Sequence, residues 1–168
     1  NNLKCAFAYI IGRTKVYVYN DHDMKKLLIL IIMLISHFCS ADSQEVTLFD
    51  HEGNPVAYID TTDEDNSIYL WDGTPVCYLV TNGDNYCVYG FNGEHLGWFQ
   101  KGTIIDHEGY IVGFQKEALD IYTKYEPYKS YKKYKPYKSY KRYAPYMPYV
   151  KSQFSKENFV LFLKRGRD

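Results

Sequence analysis

The chain has 168 residues, which is enough for one modest domain with appended segments and leaves no room for a second large domain. Its twenty basic and twenty acidic residues cancel to a formal net charge of zero, but they are unevenly placed. Residues 42–118 carry fourteen acidic residues and two lysines, whereas residues 119–168 carry thirteen basic and four acidic residues. The sequence therefore predicts an acidic body, with a net of twelve negative charges, followed by a basic tail with a net of nine positive charges.

The segment MKKLLILIIMLISHFCSA (24–41) has the features of a secretory signal peptide. Met24 and two lysines precede an apolar run, and small residues follow it, with the expected cleavage site after Ala41. A membrane-spanning helix, which needs about 20 apolar residues, and a buried core helix are the alternatives. We predict a secreted or periplasmic protein that is not an integral membrane protein after cleavage. Residues 1–23 then lie upstream of the native start, as a non-native extension.

Four imperfect repeats follow the predicted signal peptide. They read VTLFDHEGNPVAYI (46–59), SIYLWDGTPVCYL (67–79), CVYGFNGEHLGWF (87–99) and TIIDHEGYIVGF (103–114). Each places strand-forming residues on both sides of a turn glycine; these glycines are Gly53, Gly73, Gly93 and Gly109. Because glycine supplies the positive φ that tight turns require, the pattern predicts four β-hairpins and an all-β fold of about eight short strands. The repeat is too short for a four-stranded propeller blade, which needs about 40 residues.

In each repeat a small residue stands immediately before an aromatic residue. The small residues are Ala57, Cys77, Gly97 and Gly113, and the aromatic residues are Tyr58, Tyr78, Trp98 and Phe114. If the hairpins surround a common axis, the small side chains are expected to crowd one another there. The aromatic residues and the aliphatic residues Val56, Val76, Leu96 and Val112 would then supply the shared core. An open meander and a small barrel of the same strands are the competing layouts.

With its repeated glycine turns and the segment HLGWF (95–99), the chain resembles the four-fold β-flower domain family over roughly residues 46–115. The resemblance implies four hairpins around a pseudo-four-fold axis, in proteins often predicted to be exported. It implies no particular activity. The fourth repeat is shorter than the other three.

Cys77 and Cys87 are the cysteines that remain after signal cleavage, in a route where a disulfide is permitted. Their ten-residue separation allows them to pair on neighbouring strands or to remain two buried thiols. Nothing in the sequence has the paired Cys and His spacing of a zinc site. We predict no metal and no cofactor.

Two turns read DHEG (50–53 and 106–109) and together supply two histidines and four carboxylates. On one rim they could bind a divalent metal. Alternatively, the aspartate of each turn accepts hydrogen bonds from the turn backbone and the other side chains are solvated. His95 is a candidate general base, but no nucleophile or orienting residue accompanies it, and packing against Trp98 is the competing interpretation. We therefore predict no enzyme activity.

Two further features of the body have alternative interpretations. The acidic run TTDEDN (61–66) could weakly bind calcium or could be a solvated connection. Exposed aromatic residues could stack on sugars, which would make the body a carbohydrate-binding module. The aromatic residues concerned are Tyr58, Tyr69, Trp71, Tyr78, Tyr89 and Trp98.

The tail has a tyrosine at every third position of residues 122–149, ten in register, within a nine-residue unit: YEPYKSYKK, YKPYKSYKR, YAPYMPYVK. An α-helix would scatter these rings around its surface, and the recurring prolines would break it. A polyproline II helix has three residues per turn, so it would place all ten rings on one edge and the lysines on the others. We predict an extended or disordered, low-complexity tail.

Rings interleaved with positive charges suit contact with an anionic cell-envelope polymer or surface, or with another protein. The residues expected to make this contact are Tyr125, Tyr128, Lys129, Tyr131, Lys132, Tyr134, Lys135, Tyr137, Lys138 and Tyr140. Nucleic acid is the usual partner of such a sequence, but export argues against it. A disordered tail without a specific partner is the plainer alternative.

The segment NFVLFLKRGRD (158–168) is a short apolar patch with a basic end, and the sequence does not decide between an added strand and a membrane-facing anchor. Together these features predict an exported, non-enzymatic β-repeat protein. Its four-hairpin domain (42–118) is a rigid acidic scaffold, and its basic tyrosine-rich tail (119–168) makes the contacts with a surface or partner.

Overall fold

The structure, a computed structural model, describes residue 22, residues 24–29 and residues 45–167. Most of the predicted upstream extension and signal peptide lies outside the described residues; residues 24–29 are helical. Residues 45–167 belong to one compact unit. Within the described ranges, none of the helices has the length and apolar character needed to cross a membrane.

Eight antiparallel strands form a closed barrel in which every strand pairs with its neighbours in sequence and β8 pairs with β1. The strands are β1 (Glu45–Phe49), β2 (Pro55–Asp60), β3 (Ser67–Leu70), β4 (Pro75–Asn82), β5 (Asn85–Gly90), β6 (His95–Gln100), β7 (Thr103–Ile105) and β8 (Ile111–Gln115). The predictions of an all-β fold and of about eight short strands are confirmed. Of the layouts that the sequence left open, the barrel is the one observed.

Each of the four predicted turns joins two paired strands and has its glycine at positive φ, from +73° at Gly53 to +88° at Gly109. Just before each turn the strand register shifts, which marks a β-bulge. These shifts lie between Leu48 and Phe49, Ile68 and Tyr69, Val88 and Tyr89, and Ile104 and Ile105. The four hairpins therefore repeat in conformation as well as in sequence, including the shorter fourth copy.

A short C-terminal helix, Phe159–Lys164, fills the interior of the barrel. Its N-cap residue, Asn158, accepts a hydrogen bond from the backbone N–H of Leu161 at 3.2 Å. The side chains of Phe159, Phe162 and Leu163 are almost fully buried and belong to the same apolar cluster as the inward-facing strand residues. The structure therefore has neither of the two arrangements that the sequence left open for this segment, an added strand or a membrane-facing anchor.

The helix also contacts two of the small residues that precede the aromatic residues, Cys77 and Gly113. The sequence predicted instead that these small residues crowd one another at a common axis. A Cβ on Gly113 would overlap the ring of Phe159, whereas one on Gly97 would overlap the backbone carbonyl of Ile105 on the neighbouring strand β7. The Sγ of Cys77 lies 3.4 Å from the carbonyl oxygen of Leu163. Gly113 and Cys77 therefore lie against the helix, whereas Gly97 makes room for the backbone of β7.

The sequence predicted that the aromatic residues next to the small ones lie in the shared core. Neighbouring side chains of a strand point to opposite faces, however, so an aromatic residue next to an inward-facing small residue points outward. Tyr78 and Trp98 belong to a second cluster on the outer face of the barrel, separate from the interior one. They are nevertheless 3% and 1% exposed, because residues of the tail cover them. The barrel thus has an interior core around the helix and an outer aromatic layer beneath the tail.

Cys77 and Cys87 are both buried free thiols, on β4 and β5. In the strand register Cys77 lies opposite Gly90, and Cys87 lies opposite Val80. Burial raises the pKa of both thiols. The sequence left open a disulfide or two buried thiols, and the structure has the two buried thiols.

Because Phe162 is fully buried inside the barrel, we expect Phe162→Ala to lower the free energy of unfolding by about 3–5 kcal/mol. Leu161 is the matched control, since its side chain is 61% exposed on the same helix. Leu161→Ala should change stability by less than about 0.5 kcal/mol. Urea denaturation followed by tryptophan fluorescence measures both. Equal losses for the two variants would contradict the placement of the helix in the interior.

Candidate functional site

Residues 121–151, which we call the belt, run past all four hairpins without forming a helix or strand. The backbone of the belt donates one hydrogen bond to the carbonyl oxygen of each turn glycine. The pairs are Lys124 to Gly53, Lys133 to Gly73, Arg142 to Gly93 and Lys151 to Gly109, each at 2.8 Å. The donors are nine residues apart, so the three nine-residue units of the sequence join four docking points, one per hairpin. The belt therefore packs on the barrel, and the boundary predicted at residue 118 does not separate two bodies.

The turn glycines are required by this docking as well as by the turns. A Cβ on any of the four would overlap the backbone carbonyl of a belt tyrosine. In hairpin order, the tyrosines are Tyr122, Tyr131, Tyr140 and Tyr149, again nine residues apart. Further belt amides donate to the residues two positions before the turn glycine, as from Ser130 to Trp71 at 3.1 Å and from Ser139 to Phe91 at 2.7 Å. The nine-residue period of the belt thus matches the hairpin repeat at the level of backbone contacts.

The side chains at the four docking points are all basic, and each contacts the residue that follows a turn glycine. Lys124 donates to Asn54 at 2.7 Å, Lys133 to Thr74 at 2.8 Å and Arg142 to Glu94 at 2.7 Å; Lys151 lies 3.7 Å from the centroid of the Tyr110 ring. These contacts point the cations toward the turns.

Between the docking points, the belt lysines turn toward acidic residues of the barrel. Lys132 contacts Glu45 at 2.8 Å and Asp60 at 2.5 Å, and Lys129 also contacts Glu45, at 2.9 Å. Burial alone would raise the pKa of Asp60, but the hydrogen bonds from Lys132 and Thr62, together with the charge of Lys132, outweigh it and lower that pKa. The same pairing raises the pKa of Lys132 despite its burial. These lysines are held inward by charge.

The predicted calcium-binding run is part of this charge pairing. Within TTDEDN (61–66), Asp63 accepts a hydrogen bond from Lys135 at 2.5 Å, and Asp65 pairs with Lys138. Two carboxylates of the run are thus neutralised by ammonium groups of the belt. The run is therefore not a purely solvated connection, and a calcium ion would have to compete with these ammonium groups for the two carboxylates.

The outer aromatic layer lies directly under the same lysines. The Nζ of Lys129 is 4.6 Å from the centroid of Tyr58, and that of Lys138 is 4.4 Å from the centroid of Tyr78. The two lysines are nine residues apart in the belt, and the two tyrosines beneath them are twenty residues apart in the barrel. Burial, followed by the charge of Glu45, raises the pKa of the Tyr58 hydroxyl to about 12. The body aromatics proposed as sugar-stacking residues are largely covered by the belt in this way.

All ten belt tyrosines point away from the barrel. Their side chains are 82–99% exposed, and the most exposed are Tyr128 and Tyr131. The candidate contact residues are therefore divided into two sets. The tyrosines predicted from the sequence (Tyr125, Tyr128, Tyr131, Tyr134, Tyr137, Tyr140) face outward, and the lysines (Lys129, Lys132, Lys135, Lys138) pair with the barrel.

The DHEG turns use their aspartates for local backbone structure. Asp106 accepts hydrogen bonds from the backbone N–H of Glu108 and of Tyr110, at 3.0 and 2.9 Å. Asp50 does the same in the first repeat, accepting from Glu52 and Asn54. Among the described residues, no three His, Cys, Asp or Glu side chains are grouped so as to hold a metal ion.

One contact in the third repeat was not foreseen from the sequence. His95 Nδ1 lies 2.9 Å from His107 Nε2, and the His95 ring also packs edge-on against Trp98 with 4.7 Å between centroids. Burial, with a smaller contribution from His107, lowers the pKa of His95 from 6.5 to about 4. Burial also lowers the pKa of His107, as does nearby Arg165. His95 is thus held neutral inside an aromatic cluster.

The geometry defines a class of protein in which a closed barrel of four repeated hairpins is encircled by its own tail. A comparison with protein-family models matches residues 46–163 to the 4-fold beta flower protein family, and the chain belongs to this family. The match confirms the resemblance predicted for residues 46–115 and extends it through the belt and into the C-terminal helix, as far as residue 163. No curated protein and no solved structure matches the chain.

The close approach of the belt to the turn glycines predicts different costs for two glycine substitutions. Gly73 and Gly83 both have positive φ, +77° and +61°, but a Cβ on Gly83 would meet open space. Gly83→Ala should cost only the backbone strain, about 1–2 kcal/mol. Gly73→Ala should cost about 2 kcal/mol more, because Tyr131 must move. Urea denaturation measures both costs, and equal values would contradict the docking of the belt on the turn.

The buried histidine pair predicts a loss of stability in mild acid. Since the pKa of His95 is about 4 in the folded chain and 6.5 is its ordinary value, the unfolded chain binds an extra proton between these pH values. Stability should therefore fall as the pH drops from 6.5 toward 4, by up to about 1.4 kcal/mol per pH unit. His95→Gln should flatten this slope in denaturation curves. His51→Gln, at an exposed histidine, should leave it unchanged.

Proposed function

We propose that the protein is an exported, non-enzymatic scaffold that presents its belt tyrosines to a partner at the cell envelope. The observation that carries the proposal is the exposure of all ten rings, at 82–99%, on a backbone that is hydrogen bonded to all four hairpins. A fixed row of tyrosines offers a large amphipathic contact area at a low cost in conformational entropy. Export rests on the signal-like segment 24–41.

The charges of the belt support contact through rings rather than through ion pairing. Lys129, Lys132, Lys135 and Lys138 already pair with carboxylates of the barrel. Residues 45–167 together contain sixteen acidic and fifteen basic residues, so the unit is close to neutral. An anionic envelope polymer would have to compete with the barrel for these lysines. The partner is therefore better matched to the outward tyrosines than to the basic charge of the tail.

A binding role also accounts for the polar residues that were candidates for catalysis. Asp50 and Asp106 accept hydrogen bonds from turn amides, and His95 is buried against Trp98 and His107. We further propose that the four hairpins lie around a pseudo-four-fold axis, which the repeated turn and belt contacts support. Such an arrangement spaces the docking points evenly, so one nine-residue unit fits every interval.

Co-sedimentation with isolated cell envelope, using the chain from residue 42 onward, tests the proposal. Replacement of Tyr128, Tyr131, Tyr134 and Tyr137 by Ser removes four exposed rings without touching the barrel. We expect the parent chain to sediment at both low and high salt, and the Ser variant to remain in solution. The corresponding Phe variant keeps the rings and is the matched control.

Two results would overturn the proposed contact surface. Sedimentation of the Ser variant to the same extent as the parent chain would show that the rings do not bind. Release of the parent chain by salt would show that charge carries the contact instead. Thermal denaturation of each variant verifies that the fold is retained.

A further inference from the structure

We propose that the belt binds uncharged polysaccharide, with sugar rings stacked on the exposed tyrosines. This inference rests on the proposed function and names the class of its partner. The sugar-stacking role that the sequence suggested for the body aromatics is thereby transferred to the belt. Tyr58 and Tyr78 cannot serve in that role, because they lie beneath Lys129 and Lys138.

The faces of the belt rings are available. In residues 45–167 the close ring pairs join residues of the barrel with one another or with Phe154, and none includes a belt tyrosine. At 98% and 99% exposure, Tyr128 and Tyr131 have almost no packing partner within the chain. A phenol ring has an apolar face for the C–H face of a pyranose and a hydroxyl for its hydroxyl groups.

The electrostatics favour an uncharged ligand. Belt cations such as Lys132 and Lys135 are directed at Asp60 and Asp63 and are neutralised there. The outward face carries the rings and hydroxyl groups together with a few exposed cations such as Lys124 and Lys141, on a unit whose acidic and basic residues nearly balance. A polyanion gains little from such a surface, and a neutral polymer loses no ionic interaction on binding it.

The repetition of the rings favours a polymer over a small sugar. An extended chain with three residues per turn advances about 9 Å from one tyrosine to the next. Ten similar rings in one row make ten weak, similar sites, and a polymer with a repeating unit can occupy several at once. The backbone bonds to Gly53, Gly73, Gly93 and Gly109 hold the row in place before binding, which reduces the entropy lost on binding.

The test is a pull-down of the chain from residue 42 onward with four insoluble uncharged polysaccharides: cellulose, chitin, β-1,3-glucan and starch. Soluble polygalacturonate, in affinity electrophoresis, is the anionic comparison. We expect binding to at least one uncharged polymer at both low and high salt. Replacement of Tyr128, Tyr131, Tyr134 and Tyr137 by Ser should weaken that binding about a hundredfold through lost avidity. The Phe variant should retain most of the binding, and Tyr86→Ser, at a partly exposed tyrosine of β5, should leave it unchanged.

The remaining outcomes overturn the inference. They are no binding to any of the four uncharged polymers, salt-sensitive binding to polygalacturonate alone, or pelleting that sedimentation velocity attributes to self-association. If the Ser variant no longer sediments with cell envelope and no polysaccharide binds, the proposed function stands and the polysaccharide is wrong. If the Ser variant still sediments with envelope, the proposed function fails as well.

Discussion

The hydrogen bond from the belt backbone to the carbonyl of each turn glycine is the contact on which the rest of the structure depends. It recurs every nine residues in the belt and once per hairpin in the barrel, so it fixes the alignment of the two repeats. Given that alignment, Lys129 and Lys138 must lie over Tyr58 and Tyr78, and the tyrosines between them must face water. A backbone contact thus decides which side chains are available to a partner.

The belt stabilises the barrel chiefly by covering apolar surface. Tyr78 and Trp98 are on the outside of the sheet and would be exposed without residues such as Met147 packed over them. The ion pairs add less, since pairs that keep partial contact with water contribute at most about 1 kcal/mol each. Their larger effect is on orientation, because Lys132, between Glu45 and Asp60, keeps its segment of the belt in one position.

The hairpins could be predicted from the sequence because their signals are local: a glycine with flanking strand residues defines each turn. The placement of Phe159 could not, because a small residue such as Gly113 is equally consistent with mutual crowding and with room for a helix. The docking of the belt was also out of reach. Its nine-residue period can be matched to repeats of sixteen to twenty residues only when the distance between adjacent turns is known. The contact of His95 with His107 likewise depends on the packing of two neighbouring hairpins.

The long sequence separation between the helix and the strands that surround it affects when the fold can be completed. The contacts that close the structure join distant parts of the chain: 84 residues separate Lys129 from Glu45, and 86 separate Leu163 from Cys77. Until the belt and the helix are in place, the strands have an unfilled interior and an uncovered aromatic layer. Such intermediates are slow to mature and prone to aggregate. The native state is therefore reached only after Leu163 has entered the interior of the barrel.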